Sequence, residues 1–333
     1  MRMYGDVRHN VRDIQVAVNG PRKRGASRGR RGRRSGCPLQ GTWCARHPLT
    51  PDRRSDRGVP VLAELVSVPT PSTPLDGLFY EPPGRPARGA AMLMHGNGMN
   101  FYYGAPGFLP SHLTGIGLAA LSYNRHGHDT VSARTRVAEG NAYQTTAEAI
   151  EDNERAAQWL GERGFAAPVV IGHSNGGMLA SEHVARHPET PALVLLSAHL
   201  GGRDMLRRGS ELGLLAGDRL AEISRRAHEL VDAGRPEELM LLPGWYYVIT
   251  AGSFVDLESN LPVLLDNAAR ITCPVLYIRG DQEDREMYPA ERFAEVAGGP
   301  VDVRILEGCD HFYTGLEDEV GRIVAGWLDE VLG

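Results

Sequence analysis

The chain has 333 residues and a net charge of −5, with 36 basic against 41 acidic residues, and this length suits one large domain or two small ones. No run of 18 or more apolar residues occurs, so the sequence predicts no membrane-spanning helix. Lys23 is the single lysine, and its place in a tail predicted to be disordered excludes P-loop, kinase and Schiff-base chemistry, which each need a lysine in the fold.

The first 58 residues differ from the rest of the chain in charge. They hold 15 Lys and Arg against 4 Asp and Glu, with an Arg-Gly run over 28–34. Three interpretations are open: a disordered Arg-rich tail, a nucleic-acid contact, or residues that are not translated because the true start lies near Val59. The acidic balance of residues 59–333 opposes nucleic-acid binding, so we expect no nucleic-acid partner.

The four cysteines predict neither a disulfide framework nor a metal site. Cys37 and Cys44 lie near His47 but lack a fourth ligand at zinc spacing. Cys273 precedes a predicted strand and Cys309 follows one, and we expect both to be reduced. This usage is typical of a cytoplasmic protein.

From Val61 onward, predicted strands alternate with predicted helices. Strands are predicted at residues 62–68, 75–81, 91–95, 118–123, 168–171, 193–197, 275–279 and 301–306. Helices are predicted over 145–160, from the end of the serine motif described below to about 187, and over 317–331. The first two strands form an antiparallel pair, and the later alternation predicts an α/β fold with a doubly wound, mostly parallel sheet.

The 72 residues 201–272 interrupt this alternation. They are rich in leucine, with helical character and no evident strand, and a structureless loop of that length is improbable, so we predict an inserted helical lid. Its aromatic residues are Trp245, Tyr246, Tyr247 and Phe254. They either line a substrate pocket or pin the lid to the sheet.

The motif Gly172-His173-Ser174-Asn175-Gly176-Gly177 follows an apolar strand and precedes a helical pattern. A strand, a tight turn with a serine and a helix form the nucleophile elbow, G-x-S-x-G. The turn strains the serine backbone and points its hydroxyl away from the sheet edge, and glycine is needed at 172 and 176 because larger side chains would clash there. Ser174 is therefore the predicted nucleophile.

A serine nucleophile needs a base, and the base needs an acid to orient it. His311, in the loop after the last predicted strand, is the predicted base. The acid should follow the strand at 275–279, where Glu283 has the usual spacing after Gly280 and Asp284 is the alternative. Other carboxylates near these strands are Asp281, Glu286 and Asp204.

The backbone N–H of Asn175 and the loop residue Asn97 are the predicted donors of an oxyanion hole. The neighbouring His95 is expected to brace that loop. The run at 126–129, His-Gly-His-Asp, lacks the spacing of a binuclear metal site, and Gly96-x-Gly98 lacks the third glycine of a dinucleotide site. We therefore predict no cofactor and no metal.

Taken together over about residues 59–333, these motifs resemble the α/β-hydrolase superfamily. The motifs are His95-Gly96-Asn97-Gly98, Asn124-Arg125-His126-Gly127-His128, the elbow at 172–177, Gly280-Asp281-Gln282-Glu283-Asp284 and Asp310-His311-Phe312. The resemblance implies an eight-stranded sheet, a cap between strands six and seven at about 201–272, and a Ser–His–acid triad without cofactor. The loop at 95–97 also looks like that of haloalkane dehalogenases, but those enzymes use an aspartate nucleophile, and Ser174 disfavours that activity.

We therefore expect a cytoplasmic serine esterase that cleaves a carboxylic ester or thioester of a small molecule through an acyl-serine intermediate, without a membrane partner. Hydrolysis of an amide, a lactone or a carbon–carbon bond, or acyl transfer, is an alternative on the same triad. A non-catalytic ligand-binding protein on this scaffold is the third interpretation. It is disfavoured because all three triad candidates are present.

Overall fold

The computed structural model describes residues 62–132, 137–244 and 247–333. The predicted Arg-rich tail of residues 1–58 lies outside the described residues, and so do Trp245 and Tyr246 of the predicted lid. Among the described helices none is both long enough and apolar enough to cross a membrane.

The described residues contain ten strands, and eight of them form one mixed sheet. The strands are β1 (Ala63–Val68), β2 (Leu75–Tyr80), β3 (Gly89–Met94), β4 (Leu118–Tyr123), β5 (Val169–His173), β6 (Leu193–Leu196), β7 (Leu239–Leu242), β8 (Tyr247–Thr250), β9 (Val275–Gly280) and β10 (Val301–Leu306). The order in the sheet is β1-β2-β4-β3-β5-β6-β9-β10. Strand β2 is antiparallel to both β1 and β4, and the remaining neighbours are parallel. The predicted eight-stranded, mostly parallel sheet is confirmed.

Helices cover both faces of the sheet. They are α1 (Ala105–Gly115), α2 (Thr146–Glu162), α3 (Asn175–Arg186), α4 (Gly202–Glu211), α5 (Leu220–Asp232), α6 (Ala251–Asn260), α7 (Leu264–Ala268), α8 (Ala290–Val296) and α9 (Glu317–Leu332). Helices α1 and α9 bury residues such as Leu109 and Leu328 against one face. Helices α2, α3 and α8 bury Trp159, Leu179 and Phe293 on the other. Because the later strands are parallel, the loops that follow them meet at one edge of the sheet.

Helix α2 begins at a capping box. The Thr145 hydroxyl accepts the N–H of Glu148 at 3.3 Å, and the Glu148 carboxylate accepts the N–H of Thr145 at 2.8 Å. This reciprocal pair satisfies two backbone donors that the first turn of a helix leaves unpaired. It therefore sets where the chain enters α2, next to the predicted oxyanion loop.

Helix α1 is absent from the sequence expectations, and Pro110 in its interior explains why. A proline inside a helix cannot donate to the carbonyl four residues earlier, here that of Pro106. The buried Ser122 hydroxyl of β4 donates to this carbonyl instead, at 2.8 Å. A hydrogen bond from the sheet thus replaces the one that the helix lacks.

The segment between β6 and β9 contains α4, a short 3₁₀ turn at 217–219, α5, the antiparallel pair β7–β8, α6 and α7. The sequence predicts helices alone in this segment, and for the hairpin that prediction is wrong. In β7, Met240 and Leu242 are buried whereas Leu239 and Leu241 are exposed. Since all four residues are apolar, the alternation that marks a strand is not visible in the sequence.

Replacing Leu328 by alanine should strongly destabilise the protein. Leu328 of α9 is fully buried in the cluster that packs against α1 and the sheet. Truncation of such a leucine costs about 2–5 kcal/mol of unfolding free energy. The exposed Glu330 on the same helix gives the control, because Glu330→Ala should change that free energy by less than about 0.5 kcal/mol. Urea denaturation measures both variants, and equal midpoints would contradict the packing described.

Candidate active site

Ser174 lies in the turn between β5 and α3 with a strained backbone. Its φ is 56° and its ψ is −119°, in a region that residues other than glycine rarely occupy. Its N–H donates to the carbonyl of Leu196 at 2.9 Å. The turn therefore carries the serine beyond the sheet edge and is held by the neighbouring strand β6.

The two elbow glycines are required by close backbone contacts. A Cβ at Gly172 would collide with the carbonyl oxygen of Gly176, and a Cβ at Gly176 would collide with the carbonyl oxygens of Met94 and His95. Only a hydrogen fits at either position. This close approach brings the start of α3 directly against the end of β3.

The structure brings together Ser174, His311 and Glu283. The Oγ of Ser174 lies 3.1 Å from Nε2 of His311, and Nδ1 of His311 lies 2.7 Å from Oε1 of Glu283. The Asp310 carboxylate accepts the N–H of Phe312 at 3.0 Å and fixes the turn of this loop. The three side chains come from the loops after β5, β9 and β10.

The Glu283 carboxylate is buried, with 3% of its side chain exposed. Its Oε2 accepts the hydroxyl of Ser197 and the N–H of Gly280, each at 2.7 Å. Because the Ser197 proton goes to the carboxylate, the Tyr313 hydroxyl, 2.7 Å from Ser197 Oγ, donates to that oxygen. Burial and the nearby Glu283 charge raise the pKa of Tyr313 well above its usual value, so Tyr313 remains a donor.

Asp284, the alternative acid, is not hydrogen-bonded to His311 within the described residues. It forms a two-pronged pair with Arg208 of α4, with oxygen to nitrogen distances of 3.0 and 2.5 Å, and accepts the N–H of Met287 at 2.8 Å. Hydrogen bonds from Arg208 lower the pKa of the Asp284 carboxyl. Glu283 rather than Asp284 therefore lies at the histidine.

The other carboxylates near these strands contact different groups. Asp281 accepts the N–H of Cys309 at 3.2 Å, Glu286 lies 3.4 Å from Arg208, and the exposed Asp204 pairs with Arg207. None of the three is hydrogen-bonded to His311 within the described part of the chain.

Asn97 and Asn175 both line one cavity. Asn175 is the first residue of α3, so its N–H has no acceptor within the helix. The Asn97 amide lies 3.5 Å from the Tyr247 hydroxyl of β8. The cavity beside both residues is also lined by Thr145 and Leu257.

The predicted lid aromatics separate into two groups. Tyr247 lines the cavity, and burial raises the pKa of its phenol, which therefore stays protonated. Phe254 is fully buried in the apolar core and does not line this cavity. Of the two described lid aromatics, one thus lines a cavity and the other packs in the core.

Buried, neutral histidines surround the site. His95 donates through Nδ1 to the carbonyl of Gly96 at 2.8 Å and accepts the N–H of Arg125 at 3.1 Å. The imidazole thus joins two loops, in line with the bracing expected. Burial, followed by the Arg125 charge, lowers the His95 pKa well below its usual value.

His173 and His199 hold the elbow and the base. The Nε2–H of His173 donates to the backbone carbonyl of His311 at 2.9 Å. Nδ1 of His199 accepts the N–H of Gly201 at 3.2 Å, so its Nε2–H donates to the Asn175 side chain at 3.3 Å. Burial, assisted by the His311 charge, lowers the pKa of both to about 3.

Sequence reasoning missed Ser197 and Tyr313. Ser197 directly follows β6 and Tyr313 lies two residues after His311, and this placement is a usable signal.

The histidine run at 126–129, for which no metal site is predicted, has structural contacts. His126 pairs with Asp152 at 2.6 Å, and His128 donates to the Arg125 carbonyl at 3.0 Å.

Comparison with known proteins finds one matching family model and solved structures of similar fold. A model described as the alpha/beta hydrolase family matches residues 91–325. Est1E from Butyrivibrio proteoclasticus, solved with ferulic acid, is 19% identical and has a TM-score of 0.63 over 80% of this chain and 99% of that chain. A thermostable carboxyl esterase from Bacillus coagulans, solved with glycerol, is 15% identical with a TM-score of 0.63 over 81% and 99%.

A monoacylglycerol lipase from Paleococcus ferrophilus is 21% identical, with a TM-score of 0.54 over 77% of this chain and 99% of that chain. A search of curated protein sequences gives no match. At such identities the solved structures establish likeness of fold.

Stability should fall as pH drops, partly through His199. Its pKa is about 3 in the folded protein against an ordinary 6.5, so between these values the unfolded chain binds a proton that the folded chain does not. The contribution of neutral His199 to the unfolding free energy is therefore fully present above pH 6.5. Below that pH it decreases, by about 1.4 kcal/mol per pH unit for one such group.

His199→Gln should reduce this slope by about 1.4 kcal/mol per pH unit between pH 6 and pH 4.5. Urea denaturation of the variant and the unaltered protein at several pH values measures the difference. Identical slopes would mean that His199 takes up a proton while the protein remains folded.

Proposed function

The chain belongs to the alpha/beta hydrolase family, and on that basis we propose that it is a serine hydrolase that cleaves a carboxylic ester or thioester of a small molecule. The observation that carries the proposal is the continuous hydrogen-bonded relay from Ser174 through His311 to Glu283. The two cysteines within the described residues are free thiols, in line with the predicted cytoplasmic location.

In the proposed reaction, Ser174 is the nucleophile and His311 the base. As Ser174 Oγ attacks the carbonyl carbon, its proton passes to His311 Nε2, and the carbonyl oxygen becomes an oxyanion. His311 then gives the proton to the leaving alcohol or thiol as the C–O or C–S bond breaks. Water repeats the sequence on the acyl-serine and releases the carboxylic acid.

Glu283 acts in this mechanism as the orienting acid. Its carboxylate holds Nδ1–H of His311, so that Nε2 faces Ser174, and its charge stabilises the imidazolium that forms. The donors from Ser197 and Gly280 occupy its other oxygen, so Oε1 is the oxygen that holds the histidine.

Asn97 and Asn175 are the proposed oxyanion donors. The N–H of Asn175 follows the nucleophile directly, and the Asn97 backbone N–H, in the loop after β3, donates to no acceptor within the described part of the chain. Fixed donors at the developing charge are usually the largest single contribution to such catalysis. The cavity between α2 and β8, which both asparagines line, is the proposed pocket for the acyl substrate.

Ser174→Ala should leave the fold intact and reduce hydrolysis of p-nitrophenyl acetate to the uncatalysed background, a loss on the order of 10⁴–10⁶-fold. Labelling by a fluorophosphonate probe should disappear in the same variant. Ser181→Ala is the control, since this hydroxyl lies on the same helix but donates to the Met178 carbonyl, and it should retain both readouts. Equal turnover in Ser174→Ala and the unaltered enzyme would end the proposal.

Glu283→Gln and Asp284→Asn should separate the two adjacent carboxylates. Glu283→Gln removes the charge that faces His311 and should lower kcat by roughly 10³–10⁴-fold. Asp284→Asn weakens the pair with Arg208 and should keep most of the turnover. Steady-state kinetics on the same ester measures both, and a larger loss in Asp284→Asn would assign the acid to that residue.

A further inference from the structure

A second cluster of chemically active side chains lies between α2 and α3. Glu154 of α2 faces His183, near the end of α3, and His187, directly after it. One ligand atom from each lies within 4.8 Å of the other two. His183 is nine residues beyond Ser174 along α3, which at 1.5 Å per residue puts it about 14 Å away.

The distances within this cluster suit a tetrahedral ion. Nδ1 of His183 lies 3.3 Å from Oε1 of Glu154, and Nε2 of His187 lies 2.8 Å from Oε2. Zinc bonds of about 2.0–2.1 Å at tetrahedral angles separate two ligand atoms by about 3.3 Å. The His183–Glu154 separation matches this value and the His187–Glu154 separation is shorter, so a small movement of His187 would bring these atoms to zinc spacing.

One nitrogen of the cluster lacks a hydrogen-bond partner. His183 is 5% exposed, and its buried Nδ1 makes no hydrogen bond within the described residues, although the Glu154 carboxylate is near. A buried polar atom of this kind is rare in proteins. A cation bound between the three side chains would satisfy it.

His187 contacts a carboxylate through its other ring nitrogen, as metal-bound histidines usually do. Nδ1 of His187 lies 3.1 Å from a carboxylate oxygen of Glu189. This contact keeps a proton on Nδ1. Nε2 donates its own proton to Oε2 of Glu154 at 2.8 Å, and a bound cation would displace that proton and take the Nε2 lone pair. Carboxylates in this position orient the ring and strengthen metal binding.

We propose that Glu154, His183 and His187 bind a zinc ion that joins α2 to α3, with water as the fourth ligand. Two imidazoles and one carboxylate suit zinc, whereas magnesium prefers oxygen ligands. The site is remote from Ser174, so its effect is on stability: an ion that binds only the folded chain raises the unfolding temperature. The sequence predicts no metal site, because the carboxylate comes from a different helix.

The test is titration of the full chain with zinc chloride, by calorimetry and thermal unfolding. Cys37→Ser and Cys44→Ser are included throughout, because these two cysteines and His47 could also bind zinc. One equivalent of zinc should bind and raise the unfolding temperature, whereas magnesium chloride at the same concentration should do neither.

Variants locate the ion. Glu154→Gln, His183→Gln and His187→Gln should each weaken zinc binding by more than about 100-fold, and Glu189→Gln by about 10- to 100-fold. His228→Gln is the matched control. Its imidazole lies 3.0 Å from a Glu258 oxygen, and the described residues place no second imidazole with this pair. Zinc binding should therefore be unchanged.

Absence of zinc binding, equal affinity in His187→Gln, or equal binding of magnesium would overturn the proposal and leave the cluster as an ion pair between two helices. If His183→Gln fails to fold, the partly exposed His187 still decides the result. Ester hydrolysis is not a readout here, so a failure of the proposed function leaves this test unaffected.

Discussion

The site depends on one close approach of backbone to backbone. Gly176 meets the carbonyl oxygens of Met94 and His95, and Gly172 meets that of Gly176. A side chain at Gly176 would push α3 away from the end of β3 and separate Ser174 from the loop of Asn97. A side chain at Gly172 would push α3 away from β5. Ser174 also donates to Leu196 at the end of β6, so this contact aligns three strand ends. Close contact between backbone atoms thus fixes where Ser174 and the loop of Asn97 lie relative to each other.

The electrostatics around the relay follow from burial. His173 and His199 have a pKa of about 3, and His95 is also shifted well down. They serve as neutral hydrogen-bonding groups, so a proton taken up by His311 meets no neighbouring imidazolium. The negative charge stays on Glu283, whose partners Ser197 and Gly280 are uncharged donors. In the proposed reaction the positive charge that develops therefore lies on His311, between Glu283 and the oxyanion of the substrate.

Strong apolar runs and glycine spacing made the strands of the large sheet and the elbow predictable. The choice between Glu283 and Asp284 was not, because Ser197 and Arg208, remote in sequence, decide which carboxylate turns inward. Helix α1 was missed because Pro110 hides its helical pattern. The hairpin was missed because β7 is apolar on both faces. The Glu154–His183–His187 cluster was missed because its carboxylate belongs to α2 and its imidazoles to the end of α3.

The pair between Arg208 and Asp284 has a consequence for exchange of parts between relatives. Arg208 belongs to the segment inserted between β6 and β9, and Asp284 is the immediate neighbour of the residue that holds His311. A chimera that replaces this segment with that of another hydrolase removes the cation and leaves the carboxylate free to compete for the imidazole. Such a graft therefore needs an arginine at the position of Arg208, or an uncharged residue at 284, to preserve the alignment of the base.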